Sequence, residues 1–460
     1  MFQNNQGTMA SKKIPSGRCW LQANKPTANR SGYADVSILA SDCPTPNNRT
    51  RTKSDVCKMN DALRVSFERR VRALADFGHR GSTTDRERAA ADYLCEQLRS
   101  IGFEPQREPF QGSSSFGGRV LIHVIVATAG SALLWLHPII AIVIDAAVLF
   151  SMWGENTASG VWLSRPIVRY PSTNICAWIR TPTPRLRVIA SGHYDTQRTG
   201  FIWRVGKYLI PLFWWLPSFF KPPLLSVGII VFGQAVLSSL AIVNGLTAAL
   251  SIANWVVLAL YAITLLLVGE WSIGAFVPGA ADNASGAAAA LALAEAWRDH
   301  PINDVDFVVL LPSCEESGLL GSAAWADQHR AELNSVPTVF VNLDNLGVGP
   351  ARFFDADTPL FGWPIAYPPE MVQIASQVSA EVGLEDNRPH TMPGPTDGLS
   401  FLVRGLRGMT IVSFRAQGYM PWYHLPGDTA AHLDFDDAWH GVVFGWRLLK
   451  TFAESKSCAD

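Results

Sequence analysis

The chain of 460 residues is long enough for a large domain with additions, and its 38 basic and 39 acidic residues nearly cancel, which argues against a nucleic-acid partner. Charged residues are scarce at 17% and tryptophans number 16, a membrane-leaning composition that stops short of an all-helical transporter. Seven scattered cysteines with no CxxC pair exclude a disulfide scaffold and favour a reducing compartment.

In chain order, residues 1–58 are polar, basic-leaning and aperiodic, so a disordered extension is expected, and Met59 is a candidate true start. A transit-peptide-like extension is the rival reading, and no apolar run predicts a signal peptide. Residues 62–78 and 81–103 follow as helices. In the second, Thr84 and Glu87 have capping-box spacing, Ala90, Leu94, Leu98 and Ile101 share a face, and Gly102 is a stop signal. Strands are predicted at 174–179, 186–192, 304–313, 338–347 and 408–414, and helices at 286–300, 319–333, 369–383 and 428–455, with Asp428 and Thr429 capping the last. Alternating strands and helices imply an α/β domain with a mixed, mostly parallel central sheet flanked by helices.

Two segments break that alternation and divide the α/β domain into parts at 59–119, 154–200 and 277–460. One insertion, 120–153, is apolar but interrupted by His137-Pro138 and carries Asp145, so two short or re-entrant helices are expected rather than full spans. The other, 201–276, opens with an interfacial mixture of Trp, Phe, Arg and Lys and continues as 224–245 and 246–269. Each half offers roughly the 20 uncharged residues needed to cross about 30 Å of hydrocarbon, with a turn at Asn244-Gly245. Because the α/β domain flanks both insertions, each must cross an even number of times. Arg198, Arg204, Lys207 and Lys221 lie on the domain side and the 244–247 turn is uncharged, so an integral membrane protein with a cytoplasmic α/β domain is expected.

Polar residues gather at strand ends: His193 and Asp195 in "GHYD", Asp282 in "GAADNASG", Glu315-Glu316 in "SCEESGLLGS", Asp344 in "VNLDNLG" and His424 in "WYHLPGDT". The carboxyl edge of such a sheet is where ligands bind. Five imidazole or carboxylate groups suit two zinc-like ions sharing a bridging carboxylate, with one of the paired glutamates left for proton transfer. Asp195 can accept the free N–H of His193. Each signal alone is weak, since a lone strand-end His or Asp is commonly a cap and Glu-Glu commonly a solvated pair. Asn283-Ala284-Ser285 matches a glycosylation sequon, but modification beside a candidate ligand in a cytoplasmic domain is not expected.

The order HxD, (A)DNASG, EE-x-GLxGS, LD and a late YH resembles the M28 family of zinc aminopeptidases and carboxypeptidases, over about 300 residues. The resemblance implies that His193, Asp282 and Asp344 hold one zinc and Asp282, Glu316 and His424 a second, with Asp282 bridging. It also implies Glu315 as general base, Asp195 as the partner of His193, and hydrolysis of peptide bonds by a water between two zinc ions. "GPTDGLSF" (394–401) is similar to the family's SDHxxF-type loop, with Gly398 in place of the histidine, which leaves Asp397 without an assigned role. In M28-like chains the link between HxD and the bridging Asp is a short loop at the site's rim. Here it is 196–281 and holds the apolar hairpin, so a cleft near the bilayer and peptide substrates with apolar residues are expected, against the alternative of a mere anchor. A glutaminyl-cyclase-like single-zinc acyltransferase and a catalytically silent membrane scaffold are the rival functions. Which peptide end is cut, side-chain preference and oligomeric state are left open.

Overall fold

The computed structural model describes residues 61–212, 225–392, 394–455 and 458, so the expectations for 1–58 and for Lys221 lie outside the described residues. The apolar runs pair into one mixed sheet, nine-stranded among the described residues, in the order β1-β2-β4-β3-β5-β9-β6-β7, with β8 beside β6. The strands are β1 (Gln106–Gly112), β2 (Tyr170–Ile179), β3 (Leu186–Ser191), β4 (Val305–Leu311), β5 (Thr338–Asp344), β6 (Ala351–Asp357), β7 (Ile365–Ala366), β8 (His390–Thr391) and β9 (Arg407–Ser413). β4, β3, β5 and β9 run parallel through the centre, whereas β1, β2 and β6 pair antiparallel toward the edges. Every residue of β4 and β5 is buried, as expected where helices cover both faces.

Four strands escaped the sequence reading, the two-residue β7 and β8 and the longer β1 and β6. β1, "QREPFQG", is polar, contains Pro109 and pairs only with β2, as an edge strand can. β6, "ARFFDAD", lacks the long apolar run of its neighbours.

Helices follow the expected order: α1 (Asp61–Ala75), α2 (Asp85–Ser100), α3 (Phe116–Leu133), α4 (Pro138–Asn156), α5 (Phe201–Leu212), α6 (Leu225–Asn244) and α7 (Ala248–Ile273). Beyond them come α8 (Gly286–Asp299), α9 (Leu320–Gln328), α10 (Arg330–Leu333), α11 (Pro369–Val382), α12 (Asp397–Leu402) and α13 (Phe435–Glu454). Half of the expected capping box forms at α2: Thr84 Oγ1 accepts the Glu87 N–H at 3.2 Å, whereas Glu87 Oε2 accepts the N–H of Thr83, one residue before the cap, at 2.8 Å. Gly102, at φ +83°, ends that helix.

Alanines at 287–290 let α8 lie close to the sheet, where Trp297 stacks on Phe307 at 5.1 Å. A Cβ on Gly192 would sit 2.5 Å from the Gly286 carbonyl, so only glycine lets the end of the HxD strand touch the start of α8. The last helix corrects the sequence reading: it begins at Phe435 and its N-cap is Asp434, whose Oδ1 accepts from Asp436 and Asp437 N–H at 2.9 and 3.1 Å. Asp428 does not cap this helix and is buried.

The two insertions form antiparallel helix pairs that pack against one another, α3 on α7 and α4 on α6. At 1.5 Å per residue the helices run about 27, 28, 30 and 39 Å, and all four are long and apolar enough to cross a membrane. α3 and α4 thus exceed the short or re-entrant helices expected. His137-Pro138 falls in the turn between them, with Pro138 at the first helical position, and Asp145 is buried 3.1 Å from Ser238 Oγ. Ile139, Val143, Val243, Ile252, Leu266 and Ile273 face outward, an apolar belt of the kind that hydrocarbon covers. Trp135 and Trp255 pack at 4.9 Å, while Trp203 and Trp271, both buried, pack at 5.4 Å.

Candidate metal centre

Parallel strands present their carboxyl ends together, and the candidate residues follow those ends. His193 and Asp195 lie just past β3, Glu315 and Glu316 past β4, Asp344 closes β5, and His424 sits in the loop after β9. Asp282 occupies the turn before α8. Asn283 fastens that turn to β5, donating to the Leu343 carbonyl at 3.0 Å while its Oδ1 accepts the Asn345 N–H at 3.2 Å. Asn283 is fully buried, which removes it as a glycosylation site.

The structure brings all seven candidates together. His193 Nε2 lies 3.4 Å from Asp282 Oδ1 and 3.5 Å from Asp344 Oδ1, and His424 Nε2 lies 3.0 Å from Asp282 Oδ2 and 3.3 Å from Glu316 Oε2. Neighbouring donors at about 2.0–2.1 Å from a tetrahedral ion would stand about 3.3 Å apart, close to these separations. Both ring nitrogens of His193 and of His424, and Glu316 Oε1, are buried without a hydrogen-bond partner. Unpartnered buried donors are costly, so this donor set fits divalent cations in two triads sharing Asp282.

Electrostatics agree. Burial alone would depress the His193 imidazole, but Glu315, Asp195, Asp282 and Asp344 hold it well above its ordinary value. His424 is likewise held at about 9 against burial, chiefly by Glu316 and Asp282. Burial lifts the Glu315 carboxyl well above the usual range and, with Asp282, takes Glu316 to about 7. Burial would also raise Asp282, but the two histidines hold it below the ordinary carboxylate range. Carboxylates outnumber imidazoles, and a bound cation would offset that surplus.

Asp195 does more than face His193 Nδ1 at 3.4 Å. Its oxygens accept the backbone N–H of Glu315 and Glu316, each at 3.2 Å, and the Ser82 hydroxyl at 2.7 Å. Several supporting residues were not visible in the motifs. Asp428 accepts the N–H groups of Ala281 and Asp282 at 2.7 and 3.1 Å. Gln197 Nε2 donates to Glu316 Oε2 at 2.9 Å. Arg80, fully buried and lowered by burial to about 10, donates to the carbonyls of Leu74, Tyr194, Pro278 and Gly279. Trp203 of α5 meets His424 edge to face at 4.2 Å. Asp397 is fully buried with both oxygens unpartnered, and burial pushes it to about 7. Of these, the sequence analysis noted Asp397 without a role and Asp428 as a helix cap, and nothing in the sequence marked Gln197, Arg80 or Trp203 as neighbours of the site.

Residues 267–442 match the family model for peptidase family M28. That stretch, less than half of the chain, is similar to the M28 peptidases. The match holds Asp282, Glu315, Glu316, Asp344 and His424, and the fold adds His193 and Asp195 from outside it. The M28-type fold recurs in solved structures. A Bacteroides thetaiotaomicron glutaminyl cyclase bound to N-acetylhistamine matches with a TM-score of 0.50 and 14% identity, covering 85% of this chain and 98% of that one. A leucine aminopeptidase precursor from the same organism matches at 0.50 and 13%, covering 85% and 97%. LapB from Legionella pneumophila matches at 0.50 and 11%, covering 90% and 77%. At such identities the likeness is one of fold, and cyclase and aminopeptidase share it equally. No curated protein matches. The M28 segment and the donor set together indicate a metal-dependent hydrolase of the metallopeptidase kind.

Proposed function

We propose that the protein is a zinc exopeptidase of aminopeptidase type that works with two ions at a membrane surface. Asp282 carries this reading, because one of its oxygens belongs to each donor triad. His193, Asp282 and Asp344 would hold one ion, and Asp282, Glu316 and His424 the other. Bound there, the pair would acidify a water and polarise the scissile carbonyl. Glu315, whose Oε2 lies 3.8 Å from His193 Nε2, takes the water's proton as general base and delivers it to the leaving amine. Asp195 holds the Glu315-Glu316 backbone and orients His193, so base and donors share one support.

The choice of substrate terminus follows from charge. Glu316 and Asp344 belong to the donor triads, whereas Asp397, buried with both oxygens unpartnered and close enough to act on Glu315, is left outside them. Such surroundings favour a substrate's α-ammonium group over its carboxylate. Trp203 and Gln197, both from the 196–281 link, touch His424 and Glu316, which supports a cleft beside the apolar helices. Arg204 and Lys207 on the domain side and the uncharged 244–247 turn support a cytoplasmic catalytic face. Arg198 counts less toward that tendency, because its guanidinium donates to the carbonyls of Ser114 and Gly274.

Elemental analysis of the purified protein, paired with a panel of free and amino-blocked peptides assayed with and without chelator, tests the proposal. Two ions per chain and chelator-sensitive release of amino-terminal residues are expected. One ion with cyclisation of amino-terminal glutamine would replace the peptidase by the cyclase reading, and neither metal nor turnover would leave a silent scaffold.

A further inference from the structure

The first apolar hairpin reaches the candidate site through the side chain of Arg119, beside Phe116. Arg119, in the first turn of α3, is 1% exposed, and all its nitrogens are engaged. Nε donates to Ser164 Oγ at 3.0 Å, Nη2 to Glu155 Oε2 at 2.9 Å, and Nη1 to the carbonyls of Ser317 at 2.6 Å and Gly318 at 3.3 Å. Ser317 and Gly318 directly follow the Glu315-Glu316 pair. Glu155, in the last turn of α4, is also buried, and its Oε1 accepts the N–H groups of Trp162 and Ser164, each at 3.0 Å.

Helix energetics do not account for this arginine. A cation in the first turn opposes the helix dipole, and a buried guanidinium is costly without full pairing. The loop is shaped to receive it: Gly318 has φ +100°, and a Cβ there would lie 2.3 Å from Arg119 Nη1. The guanidinium fork thus joins the ends of both helices of the hairpin to the backbone that carries Glu315 and Glu316.

We propose that Arg119 is a positioning residue, through which the first hairpin sets the placement of the glutamate loop. The apolar helices are then part of the active-site scaffold as well as an anchor. The inference rests on the reading of Glu315 as base and Glu316 as metal donor.

The test uses the full chain in lipid nanodiscs, with Arg119→Gln and Arg119→Lys compared by kcat, KM and the visible spectrum of the cobalt-substituted protein. Arg119→Gln is expected to lower kcat on the order of tenfold to a hundredfold, the cost of misplacing a catalytic group by up to about 1 Å, with KM unchanged and the cobalt bands shifted. Lysine can still donate to the Ser317 carbonyl and should restore part of kcat. Wild-type kcat and cobalt bands in folded Arg119→Gln would overturn the inference. Should that variant not fold, Arg119→Lys decides: reduced kcat at unchanged KM supports the role, and wild-type values overturn it. Wild-type protein lacking both metal and turnover would defeat the metallopeptidase reading first, and this inference with it.

Discussion

The adjacent glutamates past β4 face different partners because the backbone turns their side chains apart. Glu316 Oε2 lies 3.3 Å from His424 and accepts from Gln197, whereas Glu315 Oε2 faces His193 at 3.8 Å and stays more open. Glu315→Gln should therefore keep the metal content of the wild type while losing turnover by roughly 10²–10⁴-fold, the usual contribution of a general base. Metal analysis beside steady-state kinetics checks this, and near-normal hydrolysis would reject Glu315 as the base. Asp195 differs from both: it holds two backbone N–H groups and a hydroxyl while facing His193, so it supports the site from behind.

At the scale of elements, four parallel strands end on one edge, and each contributes to the site through the loop that follows or the residue that closes it. The connection from β3 to α8 departs from this economy, since it carries α5, α6 and α7 before returning to Asp282. A helix pair that leaves and re-enters on one side must turn on the other. Placing a reporter in the 245–247 turn, where Gly245 has φ +71° and nothing crowds it, should give a signal from the side of the membrane opposite the peptidase domain. A reporter signal from the peptidase side would mean that α6 and α7 do not cross.

Across the whole molecule, the helical pairs and the α/β domain meet at the site. Trp203 packs on His424 and Trp271, Arg119 holds the carbonyls after the glutamates, and Arg198 joins Ser114 to Gly274 at the bases of α3 and α7. On the proposed reading, a substrate bound beside His424 would meet the ring of Trp203. Short apolar peptides should be turned over roughly tenfold faster or more than matched polar ones in nanodiscs, as burying about one methylene would give. Equal rates would assign the helices to anchorage and scaffolding, with no say in substrate choice.

Much of this was readable in one dimension. Continuous apolar runs announced β4 and β5, an alanine-rich stretch announced α8, and two long uncharged runs announced α6 and α7, because burial and helix formation act on neighbouring residues. The order of His193, Asp282, Glu315, Glu316, Asp344 and His424 likewise survives in the sequence, since each follows or closes a recognisable element. Local signals failed where a residue's partner lies far along the chain. Asp428 looked like a helix cap and instead holds the turn of Asp282, Arg119 lies nearly two hundred residues before the carbonyls it binds, and β1 became a strand only by pairing with β2. Short-range chemistry thus determined the elements and the donor types. Only tertiary packing decided which distant backbone groups would hold those donors in place, because such a bond leaves no periodicity for the sequence to display.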